Sequence, residues 1–170
     1  MKPKLFEFNI DNENSSIHIK REFDAKLKTV WEAWTSAELL DKWWAPKPFK
    51  NQTKSMDFRK GGFWIYSMIG TEDERYWSRV DFQDVEEKKR FTAYDAFCDE
   101  NGNINPDVPS GFWNIQFIEN ENSTIVDILL VFESNEDMDI ILDMGFEEGL
   151  SMGFENLDEL LLSLKKELNE

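Results

Sequence analysis

The sequence predicts an α+β fold: a curved antiparallel sheet of six to seven strands around a long C-terminal helix, with two short helices after the first strand. Three observations lead to this fold class. Residues 15–23 alternate apolar and polar side chains, as a half-buried strand does. Six further segments between about residues 52 and 133 have strand composition and are separated by turn residues. From Phe146 to Leu168, apolar residues recur every three or four positions, which predicts an amphipathic helix that can cover one face of the sheet.

Two short helices are predicted after the first strand. Asp24 is the expected N-cap of the first helix. Its apolar stripe consists of Leu27, Val30, Trp31 and Trp34. Residues 35–38, Thr-Ser-Ala-Glu, have the pattern of a capping box for a second helix, which Pro46 and Pro48 end. Before the first strand, residues 1–13 are predicted to be an N-terminal arm, in which residues 5–10 form either a short strand or a loosely attached segment.

The C-terminal part is predicted to contain a short helix over DMDIILDM, capped near Ser134, and then the long helix. Gly145, Gly149 and Gly153 recur every four residues along one side of its start. A glycine inside a helix costs about 0.5–1 kcal/mol relative to alanine, so the missing side chains need a reason. They either allow close backbone packing or leave a cavity beneath the helix. Gly145 could instead be the C-cap of the preceding helix.

Composition narrows the class of protein. The 170 residues are expected to form a single domain, and the net charge of −16 argues against nucleic acid or an anionic membrane as a partner. We find no membrane-spanning run and no signal peptide. A single cysteine, Cys98, excludes an internal disulfide and suits a cytoplasmic protein. Aromatic residues make up 14% of the chain, a surplus that either fills the core or lines an apolar pocket.

Catalytic and metal-binding patterns are not found, so no catalytic residue, metal or cofactor is predicted. The only histidine, His18, lies on the polar face of the first strand and is interpreted as an exposed strand residue. Cys98 is interpreted as a small apolar residue. Asp95 and Asp127 lie in predicted strands, where an inward carboxyl group could act as an acid or base.

Two strands offer candidates for the wall of a cavity. In residues 63–68, either Trp64, Tyr66 and Met68 or the opposite face points inward. In residues 76–82, Trp77 and Arg79 would line the cavity if their face is concave, and Arg79 could then hold a carboxylate ligand. The alternative is an exposed or Asp81-paired arginine. The full set of cavity candidates is Trp44, Trp64, Tyr66, Met68, Trp77, Arg79, Asp95, Trp113, Gly149 and Gly153.

The adjacent tryptophans in LLDKWWAP cannot point the same way from one helix, because neighbouring positions are about 100° apart. We expect Trp43 to continue the core stripe of Leu39 and Leu40. We expect Trp44 to turn toward the mouth of the cavity.

Three blocks resemble one known family. REFDAKLKTVWEAWTSAELLDKWWAP, GGFWIYSM and MGFEEGLSMGFENLDELL are similar to the activator-of-heat-shock-protein-90-ATPase homologue family, within the START-like (SRPBCC) superfamily. The resemblance covers roughly residues 15–168 and implies the helix-grip fold with a deep cavity between sheet and long helix. The chain differs from the family pattern at residues 24–26, where proline is common, and at residues 123–126, where a Thr-Arg pair is usual. The resemblance brings no catalytic motif.

Three functions remain open at this stage. The first is a non-enzymatic domain that binds a small apolar or amphipathic ligand in the cavity. The second is a co-chaperone role on a heat-shock-protein-90-type ATPase, in which the acidic surface pairs with a basic partner. The third is a cyclase- or hydrolase-like enzyme of the superfamily. The chain is expected to be a monomer or a homodimer.

Overall fold

The computed structural model describes residues 4–168, which form one eight-stranded antiparallel sheet with four helices. The strands lie in the order β1-β2-β8-β7-β6-β5-β4-β3. They are β1 (Phe6–Asp11), β2 (Ser16–Phe23), β3 (Lys50–Met56), β4 (Phe63–Ile69), β5 (Arg75–Glu86), β6 (Arg90–Cys98), β7 (Gly111–Glu119) and β8 (Thr124–Val131). The helices are α1 (Leu27–Thr35), α2 (Ala37–Trp43), α3 (Asn135–Asp143) and α4 (Phe146–Leu168). The predicted curved sheet with a long C-terminal helix is confirmed.

Irregular pairing accompanies the curvature of the sheet. The register between β3 and β4 shifts at Thr53/Ser55, and that between β5 and β6 shifts at Phe82/Val85. An extra residue on one strand bends that strand and increases its twist. Helices α1 and α2 pack against β7 and β3, and α4 packs against α1 and α2 and reaches the sheet through contacts such as Phe154 with Phe6.

The predicted number of strands, six to seven, is wrong because β1 is an eighth strand. β1 pairs with β2 along its whole length, so this part of the predicted arm is a sheet edge. The Phe6 ring lies 5.8 Å from the ring of Phe154 on α4, and the Phe8 ring lies 6.1 Å from that of Phe146. These contacts join residues distant in sequence, which local patterning does not reveal. Residues 1–3 of the predicted arm lie outside the described residues.

The predicted caps of α1 and α2 are each misplaced. The N-cap of α1 is Lys26, which makes no side-chain capping bond, and Asp24 instead pairs with Lys165 at 3.6 Å. The N-cap of α2 is Ser36, whose Oγ accepts a hydrogen bond from the backbone N–H of Leu39. Thr35 ends α1 and donates its hydroxyl to the Trp31 carbonyl at 2.8 Å. Helix ends predicted from sequence are commonly shifted by one or two residues, because tertiary geometry decides the final cap.

At the junction between α3 and α4, Gly145 ends α3, which is one of the alternatives that the sequence offered for this glycine. Ser134 caps α3 and accepts a hydrogen bond from the N–H of Asp137, as expected. Gly145 has a φ of +88° and follows the C-cap of α3, so it terminates α3 and does not belong to α4. The left-handed conformation favours glycine there. Only Gly149 and Gly153 of the three spaced glycines lie inside α4.

The core is dominated by aromatic rings where α1, α2 and α4 meet the sheet. Trp34 lies 4.9 Å from Trp43 and 6.2 Å from Phe154, measured between ring centroids. Trp31 packs edge-on against Phe117 at 4.9 Å. These rings are all buried, so much of the aromatic surplus fills the core.

Arg21 links the first long strand to the final helix. It is 7% exposed, and its guanidinium donates to both carboxylate oxygens of Asp158 on α4. The guanidinium carbon also lies 4.9 Å from the centroid of the Phe23 ring. A bidentate pair with an aromatic neighbour fixes the position of α4 over β2.

A candidate ligand pocket

A pocket of about 230 Å³ lies between the sheet and the junction of α3 with α4. Strands β4 to β8 form its floor, the α3–α4 junction and the first turns of α4 form its roof, and the end of α2 closes one side. Small-molecule pockets of proteins typically measure about 300–1,000 Å³, so this one suits a small ligand. The lining residues are Trp43, Trp44, Pro46, Tyr66, Met68, Tyr76, Ser78, Asp95, Ala96, Phe97, Trp113, Leu130, Phe132, Ile141, Met144, Gly145, Phe146, Gly149, Leu150 and Gly153.

Strand alternation places the floor residues. Tyr66 and Met68 on β4 are two positions apart and therefore point to the same face. The same holds for Asp95 and Phe97 on β6. Trp113 on β7 completes the central part of the floor. Of the two faces of β4 between which the sequence left a choice, the one that carries Tyr66 and Met68 lines the pocket.

Seven of the ten candidates from the sequence line this pocket: Trp44, Tyr66, Met68, Asp95, Trp113, Gly149 and Gly153. Trp64 lines a second, deeper cavity of about 50 Å³. Trp44, Tyr66, Asp95 and Trp113 border both cavities. These four residues therefore lie where the larger and the deeper cavity meet.

Trp77 and Arg79 lie away from the pocket, because the inward face of β5 carries Tyr76 and Ser78 instead. Arg79 donates to both oxygens of Asp81, at 2.9 and 2.7 Å, and to the carbonyl of Gly102 at 2.7 Å. Of the two alternatives for Arg79, the structure therefore has the Asp81-paired arginine, and the choice of Trp77 and Arg79 as cavity candidates is wrong. Lys54 covers the Trp77 ring at 5.8 Å.

The two adjacent tryptophans have different surroundings. Trp43 is 1% exposed, and its indole N–H donates to the Ala33 carbonyl at 2.8 Å. Trp44 is only half-buried, borders both cavities, and donates its indole N–H to the hydroxyl of Tyr66 at 2.9 Å. Trp43 is thus mainly a core residue that reaches one wall of the pocket. Trp44 is the tryptophan that lies between the core and the pocket.

Asp95 is the carboxylate of the pocket. Its Oδ1 accepts a hydrogen bond from the backbone N–H of Gly111 at 2.9 Å. Burial raises the pKa of Asp95, although the Gly111 N–H and the nearby Trp113 indole both oppose that shift. The side chain is enclosed by protein yet retains accessible surface, because that surface faces the cavity. The Trp113 N–H is buried and close to the carboxyl group, but its geometry falls short of a full hydrogen bond.

Tyr66 supplies a hydroxyl group to the same part of the pocket. The side chain is 6% exposed, and burial raises the pKa of Tyr66 to about 12. The phenol therefore stays neutral at physiological pH. Its ring stacks on Trp64 at 4.1 Å, and the Trp64 N–H donates to Thr53 at 2.9 Å.

The two helical glycines have different environments. A Cβ on Gly153 would lie 3.4 Å from the Trp44 carbonyl oxygen and 3.6 Å from that of Trp43, so the end of α2 packs against the backbone of α4 here. A Cβ on Gly149 would meet only Pro46, at 3.9 Å. Close packing thus accounts for Gly153, and space beside the pocket accounts for Gly149.

Several lining residues were not found from the sequence, notably Tyr76, Ser78, Phe97 and Phe146. Phe97 could have been found as the residue two positions after Asp95 on the same strand face. Tyr76 and Ser78 were not among the candidates, because both faces of β5 carry large aromatic residues and alternation does not show which face is inward. Phe146 begins α4, and its role depends on how the α3–α4 junction folds over the sheet.

The other titratable candidates lie outside the pocket. His18 and Asp127 are hydrogen-bonded at 2.7 Å on the outer face of the sheet. Cys98 pairs with Trp77 in the sheet register, and burial raises the pKa of its thiol, which favours the unreactive neutral form. Within residues 4–168, no group of three or more His, Cys, Asp or Glu side chains is arranged to hold a metal ion. The helices in the same range are all too short or too polar to cross a membrane.

An antiparallel sheet closed by a long C-terminal helix, with a pocket between them, is consistent with the helix-grip class of proteins. Residues 24–162 match the sequence profile described as Activator of Hsp90 ATPase homolog 1-like protein. The chain belongs to this family. No curated protein sequence matches the chain.

Solved structures agree with this assignment. A crystal structure of a protein from Mycobacterium smegmatis is 29% identical, with a TM-score of 0.85 over 94% of this chain and 97% of the other. A solution structure of a protein from Arthrobacter aurescens is also 29% identical, with a TM-score of 0.87 over 92% and 91% of the two chains. A protein from Nitrosomonas europaea is 25% identical, with a TM-score of 0.79 over 92% and 99%.

Proposed function

We propose that this protein binds a small, predominantly apolar molecule in the pocket between the sheet and α4. The observation that carries the proposal is the pocket itself, about 230 Å³ in volume and lined mostly by aromatic and aliphatic side chains. The hydrophobic core of a protein normally contains few voids larger than a water molecule. This space is larger than such a void, and its walls come from strands and helices distant in sequence.

The polar groups of the pocket are few and close to one another. Strands β4 to β6 supply the polar side chains of the floor, which are Asp95, Tyr66 and Ser78. Tyr76 also belongs to these strands but lies at the mouth of the pocket. Apolar walls with a small number of placed polar groups are typical of small-molecule sites, in which the polar groups orient the ligand. The arrangement supports binding by shape and burial, with orientation set near Asp95.

Native mass spectrometry of the purified full chain tests the proposal. We expect a co-purified small molecule, or saturable binding from a library of small apolar compounds, that raises the melting temperature by mass action. Gly149→Leu should reduce binding, because its side chain enters the space beside Pro46 and the pocket. Glu155→Leu adds the same side chain at an exposed position of α4 and should leave binding unchanged.

Equal binding by both leucine variants would contradict the proposal, as would the absence of any binding to the wild-type chain. The co-chaperone hypothesis would then be the preferred function. It would be tested by the rate of an Hsp90-type ATPase with and without this protein.

A second candidate, an acid–base enzyme, is favoured by one observation. Asp95 is a carboxyl group with a raised pKa inside an apolar pocket, as general acids often are. The other strand carboxylate considered, Asp127, lies on the outer face and is not part of this site. Turnover of a bound compound that is abolished by Asp95→Asn, with binding retained, would distinguish the enzyme from a binding protein.

A further inference from the structure

Asp95 lacks a counter-charge in its pocket. Among residues 4–168, it forms no ion pair with a lysine, arginine or histidine side chain. The other titratable groups on the pocket wall are two phenols, Tyr66 on β4 and Tyr76 on β5. The contributions of α2, α3, α4, β7 and β8 carry no titratable side chain. Among the described residues, the pocket wall therefore has one acidic side chain and no basic one.

Aromatic rings continue on both sides of this carboxyl group. Trp44 lies 5.9 Å from Trp64 and 6.4 Å from Trp113, and Trp113 lies 5.9 Å from Phe146, between ring centroids. Tyr66 stacks on Trp64 at the other end of the series. The faces of aromatic rings attract cations, and the attraction strengthens when the cation is removed from water.

The roof of the pocket continues into acidic surface. Met144, Gly145 and Phe146 line the pocket, and the adjacent Asp143 and Glu147 are exposed. Together with the net charge of −16, this surface attracts cations and repels anions.

We propose that the ligand of this pocket is a small organic cation, an aromatic or alkyl amine whose ammonium group pairs with the Asp95 carboxylate among the rings of Trp44, Tyr66 and Trp113. This inference rests on the proposed function and names the chemical class of its ligand. The apolar part of the amine occupies the remainder of the pocket. An acidic ligand is disfavoured, because it would place a second negative charge beside Asp95 in a site without a cation.

The ionisation of Asp95 agrees with this assignment. Burial raises the pKa of Asp95, so a bound ammonium would supply a stabilising interaction that no side chain of the pocket provides. Amine affinity should therefore rise with pH until Asp95 is fully ionised. Tyr66, whose pKa is raised to about 12, does not titrate in that range.

The test compares two probes of the same size, 2-phenylethylamine and 2-phenylethanol, by calorimetric titration of the full chain near neutral pH. We expect the amine to bind at least about tenfold more tightly than the alcohol. Asp95→Asn should remove this preference, since asparagine carries no charge but keeps an acceptor for the Gly111 N–H. Asp127→Asn, which removes the same charge on the outer face, should keep the preference.

Equal binding of both probes to the wild-type chain, or a preference that survives in Asp95→Asn, would overturn the cation assignment while the proposed function stands. Failure of both probes to bind would also overturn it, and the proposed function would still be judged by native mass spectrometry. If Asp95→Asn does not fold, the wild-type preference for the amine and its rise with pH decide the question. A preference that is independent of pH would then contradict the assignment.

Discussion

At the scale of single residues, the adjacent tryptophans show how one turn of helix serves two purposes. Trp43 and Trp44 differ in direction by about 100°, so one indole enters the core and the other borders the pocket. Each buried N–H has a partner, the Ala33 carbonyl for Trp43 and the Tyr66 hydroxyl for Trp44. Their substitution should therefore affect different properties.

Trp43→Ala should lower the free energy of unfolding by about 3–5 kcal/mol, as expected when a large aromatic side chain is removed from a core. Trp44→Ala should destabilise the protein less and change ligand binding more, because this side chain is half-buried and borders both cavities. Urea denaturation and ligand titration of both variants check this. A larger loss of stability in Trp44→Ala, with binding unaltered, would contradict it.

Asp95→Asn should change how stability depends on pH. The pKa of Asp95 is raised in the folded state, so the folded protein holds this proton more tightly than the unfolded chain. The corresponding stabilisation is complete below the ordinary value of 3.8 and is lost as the pH rises through the raised pKa. Asparagine does not ionise, so the variant should gain stability relative to wild type across that window. Denaturation curves at several pH values measure the difference, and a pH-independent difference would refute the assignment.

At the scale of elements, α4 combines a packing position with a pocket position one turn apart. Gly153 faces the carbonyl groups at the end of α2, and Gly149 faces open space beside Pro46. Asn156, on the same helix, donates to the carbonyls of Trp43 and Ala45 at 3.3 and 3.0 Å. The end of α2 is thus held by the backbone and side chains of α4.

Gly149→Ala should stabilise the protein by about 0.5–1 kcal/mol, since alanine favours the helix and its Cβ meets Pro46 at ordinary contact distance. Gly153→Ala should gain less, because its Cβ would press on a backbone carbonyl that cannot move independently of α2. Chemical denaturation of the two variants gives the comparison. An equal or greater gain at position 153 would show that the contact is loose.

At the scale of the whole molecule, net charge and ion pairs act in opposite directions. The charge of −16 repels itself in the compact state, whereas pairs such as Arg21 with Asp158 favour folding. Most of the other pairs involve exposed side chains, which contribute little. Repulsion should therefore dominate the response to salt.

Raising the ionic strength from about 0.01 M to about 0.15 M shortens the screening length from about 30 Å to about 8 Å. We expect the free energy of unfolding to increase over this range. Sodium chloride and potassium chloride should give the same curve if screening is the cause. A decrease in stability would mean that the ion pairs outweigh the repulsion.

The sequence by itself determined the fold class and the order of the elements from β2 onward. Alternation and helical spacing are local properties, so they identify strands from residue 16 onward, the stripe of α1 and the long helix α4. The same local signals placed Trp43 in the core and Trp44 beside the cavity. They also placed Ser134 at the start of α3.

Only the tertiary structure decided the eighth strand, the inward face of β5 and the environment of Asp95. β1 is short, and its phenylalanines find their partners on α4, at the other end of the chain. Tyr76 and Trp77 are both large aromatic residues, so alternation separates the two faces of β5 without showing which one is inward. Whether a strand carboxylate lies beside a histidine, as Asp127 does, or has no basic side chain next to it, as Asp95 does, depends on which strands become neighbours. That choice is made by long-range pairing and sheet curvature, which no local pattern encodes.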